Sequence, residues 1–190
     1  TYRPLCHLAE IRGVTHTLYP SGAPRDELFP YLDAHSTPTT RMLILTHQSN
    51  VCSHVGNAAL LAEYCRTRGL LFVVDAAQSG GHLPIDVDGW GAAAVCLPGH
   101  KGLLGPQGTG LLLLGENAPE IAPLLFGGSG SHSLDPTMPA ELPERLEAGT
   151  LCTPGIAGLR EGIQYRKAHP EIAENAAQYA IRLGDALSMC

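Results

Sequence analysis

The sequence predicts an α/β fold built around a mostly parallel sheet. Two short apolar runs, 42–46 and 70–74, have the length and composition of buried strands. Between them, residues 57–68 place apolar side chains at helical spacing, and Gly69 follows where a helix C-cap belongs. A strand, a helix and a second strand in this order form a β-α-β unit with a right-handed crossover. The near-continuous apolar run at 42–46 further predicts a strand covered on both faces.

Patterns before and after this unit predict the other elements. The alternating segment 13–19 precedes a turn-rich stretch, and a short helix with acidic residues in its first turn begins at Asp26. Two more strands are expected at 92–96 and 110–114, joined by the glycine-rich loop 98–109.

Turn-forming residues then dominate 127–143, and helical patterning returns at 155–168 and 171–188. The later helical stripes are interpreted as core and dimer-packing faces. With 190 residues, 44% of them apolar, the chain can form one globular unit with a sizeable core.

Composition and charge limit the classes of binding partner and the cellular compartment that we expect for this protein. The net charge is −6 with only 12 Lys and Arg residues, which argues against nucleic acid or an acidic membrane as a partner. Six cysteines without a CxxC pair fit reduced thiols in the cytoplasm. Neither a membrane span of about 20 apolar residues nor a signal peptide is recognisable. Because the chain starts at Thr1 and stops within a helical pattern, we expect a fragment.

Polar residues follow three of the predicted strands, at 46–50, 75–78 and 99–101. In open α/β sheets, ligands bind outside the carboxyl ends of the strands, so these segments should face one crevice. They bring together a carboxylate, amides and a lysine.

This combination suits the aromatic aldehyde cofactor pyridoxal 5'-phosphate (PLP). Lys101 supplies the amine of an imine, and Asp75 can keep the pyridine nitrogen protonated so that the ring accepts electrons. The amide of Gln78 or Asn50 can donate to the ring oxygen. The glycine-rich backbone and the histidine beside Lys101 could hold the phosphate.

The motifs THQSN, VVDAAQSGG, PGHKGLLGPQGTG and RLEAGT occur in this order, and with them the chain resembles the class V aminotransferase and cysteine desulfurase family. The resemblance implies the large domain of a PLP-dependent transferase, a three-layer α/β/α sandwich. It implies that Lys101 is the Schiff-base lysine, that Asp75 pairs with the ring nitrogen, and that Gln78 and Asn50 approach the ring oxygen.

By the same resemblance, His100 contacts the phosphate and Thr150 reaches the phosphate of a neighbouring subunit, which implies a homodimer with shared active sites. Residues 1–154 would form the PLP-binding core, and 155–190 would be helices leading towards a C-terminal small domain outside this chain. The chain departs from the family at Pro98, where a phosphate-binding serine is common, because proline offers neither a hydroxyl nor an N–H.

The resemblance implies a cysteine desulfurase-like enzyme that converts cysteine to alanine and transfers the sulfur to a protein thiol, with a possible sulfur-acceptor protein. The nucleophilic cysteine and the substrate-carboxylate arginine would follow Cys190. The alternatives are another class V reaction, namely that of an aminotransferase, a selenocysteine lyase or a racemase, or a truncated chain that folds without turnover.

Other kinds of site are disfavoured by spacing. A nucleotide-binding P-loop would need Ser or Thr after the lysine, where Gly102 stands. His47, Cys52 and His54 match no common zinc pattern, so no metal is expected. Cys52 and Cys152 lie in predicted loops, with nothing nearby that obviously lowers the pKa of either thiol, and neither is assigned a catalytic role.

Overall fold

The computed structural model of the protein describes residues 1–132 and 134–188, so Ser133, Met189 and Cys190 lie outside the described residues. Helices and strands alternate through the first two thirds of the chain. The elements in chain order are α1 (Tyr2–Arg12), α2 (Arg25–His35), β1 (Met42–Thr46), α3 (Ala58–Arg68), β2 (Leu71–Asp75), α4 (Val87–Trp90), β3 (Ala94–Pro98), β4 (Gly110–Leu114), a short 3-10 helix (Glu144–Leu146), α5 (Thr153–Ala168) and α6 (Glu171–Ser188).

The four strands form one sheet in the order β1-β2-β3-β4. β1 pairs with β2 and β2 pairs with β3 in parallel, while β4 runs antiparallel to β3 at the edge. The predicted α/β fold with a mostly parallel sheet flanked by helices is confirmed.

Helix α3 is the crossover of the β-α-β unit, and its ends are set by local chemistry. The side chain of Asn57 accepts a hydrogen bond from the Leu60 N–H at 3.0 Å and so caps the first turn. Gly69 adopts a left-handed conformation with φ of 64°, which ends the helix and turns the chain into β2. The predicted helix and its glycine C-cap are confirmed, with the first helical residue at Ala58 rather than at residue 57.

The core lies between one face of the sheet and helices α2 and α3. Leu45 and Val74 from the strands are fully buried there, as are Leu28 of α2 and Leu61 of α3. Tyr64 is 1% exposed, and its hydroxyl donates to Asp33 at 2.8 Å. Buried aromatic and aliphatic side chains of this size dominate folding energetics, so this layer fixes the orientation of the strands.

The opposite face of the sheet is more open than predicted. Met42 of β1 is 46% exposed and Leu112 of β4 is 48% exposed, so the expectation that β1 is covered on both faces is wrong. β3 begins at Ala94 rather than at residue 92, because Gly91 and Ala92 close the turn that ends α4.

The alternating segment 13–19 is irregular rather than a strand. Its last residue, Tyr19, donates a hydrogen bond to the Ile44 carbonyl at 3.1 Å. All five cysteines within the described part of the chain are free. Within the same part, no helix combines the length and apolar character that crossing a membrane requires.

Candidate functional site

The carboxyl ends of β1, β2 and β3 lie side by side at one edge of the sheet. Thr46 stands opposite Asp75, and Asp75 stands opposite Cys96. Just beyond this row, the His47 N–H donates to the Asp75 carbonyl at 2.9 Å and the Ala76 N–H donates to the Cys96 carbonyl at 3.0 Å. All three predicted polar segments therefore leave the sheet from the same edge.

Asp75 is half-buried at the end of the central strand. Its Oδ1 accepts the Ala77 N–H at 3.0 Å, which fixes the carboxylate relative to the following turn. Its Oδ2 accepts the Thr1 hydroxyl at 2.5 Å, and the Thr1 ammonium lies 3.8 Å from the same oxygen. Desolvation and the negative charge of Asp75 both raise the pKa of the neighbouring Cys96 thiol. Oδ2 can therefore accept a hydrogen bond from a group outside this turn.

Asn50 lies at the turn of a small loop, 48–55, which is closed by hydrogen bonds between its own residues. The Ser49 N–H donates to the His54 carbonyl at 2.9 Å, and the Ser49 hydroxyl oxygen accepts the N–H groups of Val51 and Cys52 at 3.2 and 3.3 Å. The Asn50 side chain is exposed.

The same loop corrects one expectation about cysteine reactivity. A hydrogen bond with Ser49, followed in size by one with the His54 backbone, lowers the pKa of the exposed Cys52 thiol. A serine three residues before a cysteine was the signal available in the sequence.

Lys101 lies in a compact glycine-rich loop between β3 and β4. The Gly99 N–H donates to the Thr109 carbonyl at 2.8 Å, and the Gly105 N–H donates back to the Gly99 carbonyl at 2.7 Å. Lys101 is half-buried, and its amine forms no ion pair or hydrogen bond with any residue that the structure describes. The loop is closed by backbone bonds, which leaves the amine available.

Glycines join the turn after β2 to the Lys101 loop. A Cβ atom added at Gly81, where φ is 81°, would lie 2.1 Å from the Gly102 oxygen, and one added at Gly102 would lie 2.2 Å from the Gly80 oxygen. Only glycine permits backbones to approach this closely. Gln78, three residues before Gly81, and Lys101, next to Gly102, are therefore held on adjacent loops.

Helix α5 supports the Lys101 loop from behind. A Cβ atom added at Gly162 would lie 2.5 Å from the Leu103 oxygen and 2.7 Å from the Leu104 oxygen. Arg166, one turn further along α5, donates a hydrogen bond to the Gly81 carbonyl. We interpreted this helix from its sequence only as a core or dimer-packing element, and so missed its contact with the lysine loop.

The two remaining predicted residues lie at the margin. His100 is exposed beside Lys101, and Thr150 is exposed between Gly149 and the start of α5. The predicted contact of Thr150 is with a second subunit, so this single chain does not test it.

His47 and Ser79, which the sequence analysis did not assign to the site, are buried at the base of the site and hydrogen-bonded to each other at 2.9 Å.

Two cavities, of about 520 and 270 Å³, lie elsewhere. Both are lined by residues between 120 and 145, and neither is lined by any of the six predicted site residues. Within the described ranges, no group of three or more His, Cys, Asp or Glu side chains could hold a metal ion.

Comparison with known proteins identifies the relatives of this arrangement. A family model described as Aminotransferase class-V matches residues 4–188. A probable cysteine desulfurase of Methanothermobacter thermautotrophicus is 40% identical over 130 residues, which cover 67% of this chain and 32% of that protein. The chain thus spans about a third of the length of this curated relative.

Two solved structures share both fold and sequence similarity with the chain. The cysteine desulfurase CsdA from Escherichia coli has a TM-score of 0.72 and 27% identity, over 86% of this chain and 42% of that one. SspA in complex with cysteine has a TM-score of 0.65 and 28% identity, over 84% of this chain and 42% of that one.

Proposed function

Because the chain belongs to the class-V aminotransferase family, we propose that it is the cofactor-binding part of a PLP-dependent cysteine desulfurase. The observation that carries this proposal is the single sheet edge that bears Asp75, Gln78 and Lys101, with the last two on loops interlocked through glycines. The family uses PLP, and curated relatives that are 34–40% identical to the chain are described as cysteine desulfurases.

The side chains at this edge fit PLP by the chemistry of their donors and acceptors. When bound, PLP supplies an aldehyde that condenses with amines and a ring that accepts electrons. Lys101 offers an amine that no described residue engages, and Gln78 offers a half-buried amide with equally free hydrogen-bonding groups. A polar group that is partly withdrawn from water gains from a partner that replaces the lost hydrogen bonds.

Asp75 would hold a proton at the pyridine nitrogen. Its Oδ2 accepts the Thr1 hydroxyl, and a protonated ring nitrogen would donate to the same oxygen. The bond from Ala77 to Oδ1 keeps the carboxylate in place while Oδ2 changes partner.

We assign the surrounding residues by the same reasoning. Asn50 and Gln78 would donate to the ring oxygen, and His100 would contact the phosphate, because each leaves the sheet at the edge shared with Asp75. Thr150 would reach the phosphate of a second subunit, in a homodimer with shared sites. Residues 1–154 would form this binding core, and 155–190 would lead towards a further domain while α5 supports the lysine loop.

In the proposed reaction the substrate is cysteine, and Lys101 would move its α-proton after release from the cofactor. A protein thiol would take the sulfur atom, so that cysteine and thiol give alanine and a persulfide. We place that thiol, the substrate-binding arginine and any sulfur-acceptor protein outside this chain. The free cysteines support a reducing compartment, the cytoplasm.

The test uses the unusual fact that the chain contains only two lysines, Lys101 and Lys167. Treating the protein with PLP and then borohydride fixes the cofactor to the amine that it occupies, and peptide mass spectrometry locates the adduct. We expect the adduct on Lys101. A Lys101→Ala variant should lose both the adduct and the visible absorption, whereas Lys167→Ala, which changes an exposed residue near the end of α5, should keep both. Equal labelling of the two lysines would contradict the assignment.

The rival class V reactions share this cofactor site and differ in the product. Because the sulfur-accepting thiol and the substrate-binding arginine are placed outside this chain, the assay incubates the PLP-loaded full-length protein with cysteine and a thiol. Desulfuration then yields alanine and reducible sulfur in equal amounts. Transamination would give an oxo acid, and racemisation would leave the sulfur on the substrate. A chain that binds PLP at Lys101 but forms none of these products would be the non-catalytic fragment.

A further inference from the structure

His47 and Ser79 form a buried polar contact that the proposed reaction does not use. His47 is 5% exposed and Ser79 is 0% exposed. The Nδ1 atom of His47 and the Ser79 hydroxyl are hydrogen-bonded at 2.9 Å, although the residues lie 32 positions apart in the chain. The imidazole ring also packs edge-on against Trp90 of α4, with ring centroids 5.2 Å apart. This side-chain bond lies just beyond the pairing of β1 with β2, where the His47 N–H also donates to the Asp75 carbonyl at 2.9 Å.

The two residues stand at the bases of two different loops. His47 is the first residue after β1, and its carbonyl accepts the Gly56 N–H at 2.9 Å, which closes the loop that carries Asn50. Ser79 directly follows Gln78, and its carbonyl accepts the N–H groups of His82 and Leu83, both at 2.8 Å. The side-chain bond therefore connects the base of the Asn50 loop to the turn that carries Gln78.

Burial makes this bond difficult to replace with water. Desolvation lowers the pKa of His47, so the ring is neutral at neutral pH and presents one donor and one acceptor nitrogen. If one partner is removed, the other remains a buried polar atom without a bond, which typically shifts a local opening equilibrium by roughly ten- to hundredfold. The bond is therefore strong enough to determine the relative position of the two loops.

We propose that the hydrogen bond between His47 and Ser79 is a positioning tie, which holds the Asn50 loop and the Gln78 turn in the one arrangement that lets both amides reach the same ligand. The existence of this tie does not depend on the proposed function, whereas its importance for PLP binding rests on that function. His47 and Ser79 are positioning residues that act through Asn50 and Gln78.

Two substitutions of equal size isolate the bond from the volume of the ring. His47→Asn and His47→Leu both leave four heavy side-chain atoms, but the asparagine amide places a polar atom near the position of Nδ1 and leucine does not. Hydrogen exchange of the backbone amides in 48–56 and 77–83 reads out the two loops without any cofactor. In His47→Leu we expect exchange to accelerate in both loops by about tenfold or more, and in His47→Asn by no more than about threefold.

The same measurement contains the outcomes that would overturn the tie. Equal exchange in the leucine and asparagine variants would mean that only the volume of the ring matters. Acceleration confined to 48–56 would mean that the two loops are not joined. If either variant also accelerates exchange of the β1 and β2 amides, the fold itself is disturbed, and Ser79→Ala is used instead. Ser79→Ala must then accelerate exchange in 48–56, because it removes the other partner of the same bond. Ser36→Ala, which removes a hydroxyl bonded to the Leu32 carbonyl at the end of α2, should leave both loops as in the wild type.

PLP affinity, measured by absorbance titration, then tests the positioning role. We expect the dissociation constant to rise about tenfold in His47→Leu and to stay near the wild-type value in His47→Asn. Loops that loosen while the affinity stays constant would overturn the positioning role. If the wild-type chain takes up no PLP, the proposed function fails for this chain, while the exchange comparison still decides whether the tie exists.

Discussion

Replacing Gly162 with alanine tests whether helix α5 determines the position of the lysine loop. The new Cβ would lie 2.5 Å from the Leu103 oxygen and 2.7 Å from the Leu104 oxygen, so helix and loop must separate by about half an ångström to restore even the tightest allowed contact. Overpacking of this kind costs about 1–3 kcal/mol. Replacing glycine by alanine inside a helix returns about 1 kcal/mol through helix propensity. The net loss is about 1 kcal/mol, or roughly 2–4 °C in Tm for a domain of this size.

Gly184 in α6 provides the matched control, because a Cβ added there would meet nothing within 4 Å. Gly184→Ala should therefore keep the gain of about 1 kcal/mol in helix propensity without the clash. Urea unfolding of both variants measures the difference, which we expect to be about 2 kcal/mol. PLP labelling of Lys101 should fall only in Gly162→Ala, since only that helix face contacts the lysine loop. If Gly162→Ala were as stable as Gly184→Ala, α5 would not contact the loop as described.

Two further predictions concern the ion pair between Arg68 and Asp33 and the thiols of Cys52 and Cys65. Arg68, whose Nε and Nη2 each donate to Asp33 at 2.7 Å, lowers the pKa of that carboxyl below its ordinary value. Its stabilising contribution should be complete above about pH 4 and disappear as the pH falls through the lowered value. Urea unfolding at several pH values should therefore show Asp33→Asn less stable than the wild type at neutral pH and equally stable in acid. Burial raises the pKa of Cys65 to about 12, so alkylation at pH 8 should modify Cys52 first and leave Cys65 unmodified until the chain unfolds, as mass spectrometry can show.

Elements with strong local signals could be predicted from the sequence. Helix α3 has an asparagine that caps its first turn and a glycine that ends its last, and both signals act within a few residues of the positions they determine. The two parallel strands around it are short and apolar, and the helix between them requires a parallel crossover. For these elements the local and long-range preferences agree.

Features that depend on contacts between distant segments could not be predicted. The exposure of Met42 depends on what covers the second face of the sheet, and its apolar character is the same in either case. The glycine of α5 that contacts the lysine loop looks, in the sequence, like a weak point in a helix. The β-α-β pattern predicts that the segments after β1 and β2 lie close together, but nothing in either segment indicates that His47 and Ser79 are the side chains that pair.

At the carboxyl ends of the strands, residues that support the loops differ in their hydrogen bonding from residues that are free to bind a ligand. His47 and Ser79 are buried and hydrogen-bonded to each other, and Gly80, Gly81 and Gly102 bring the backbones of the two loops into contact. Lys101 and Gln78 are half-buried on these two loops, and neither side chain forms a hydrogen bond or ion pair with a described residue. Half-buried lysine and glutamine side chains keep contact with water, so they can exchange that water for a ligand without first breaking a bond within the chain. The proposed PLP site thus separates supporting residues, which are bonded within the chain, from Lys101 and Gln78, which remain open to a ligand.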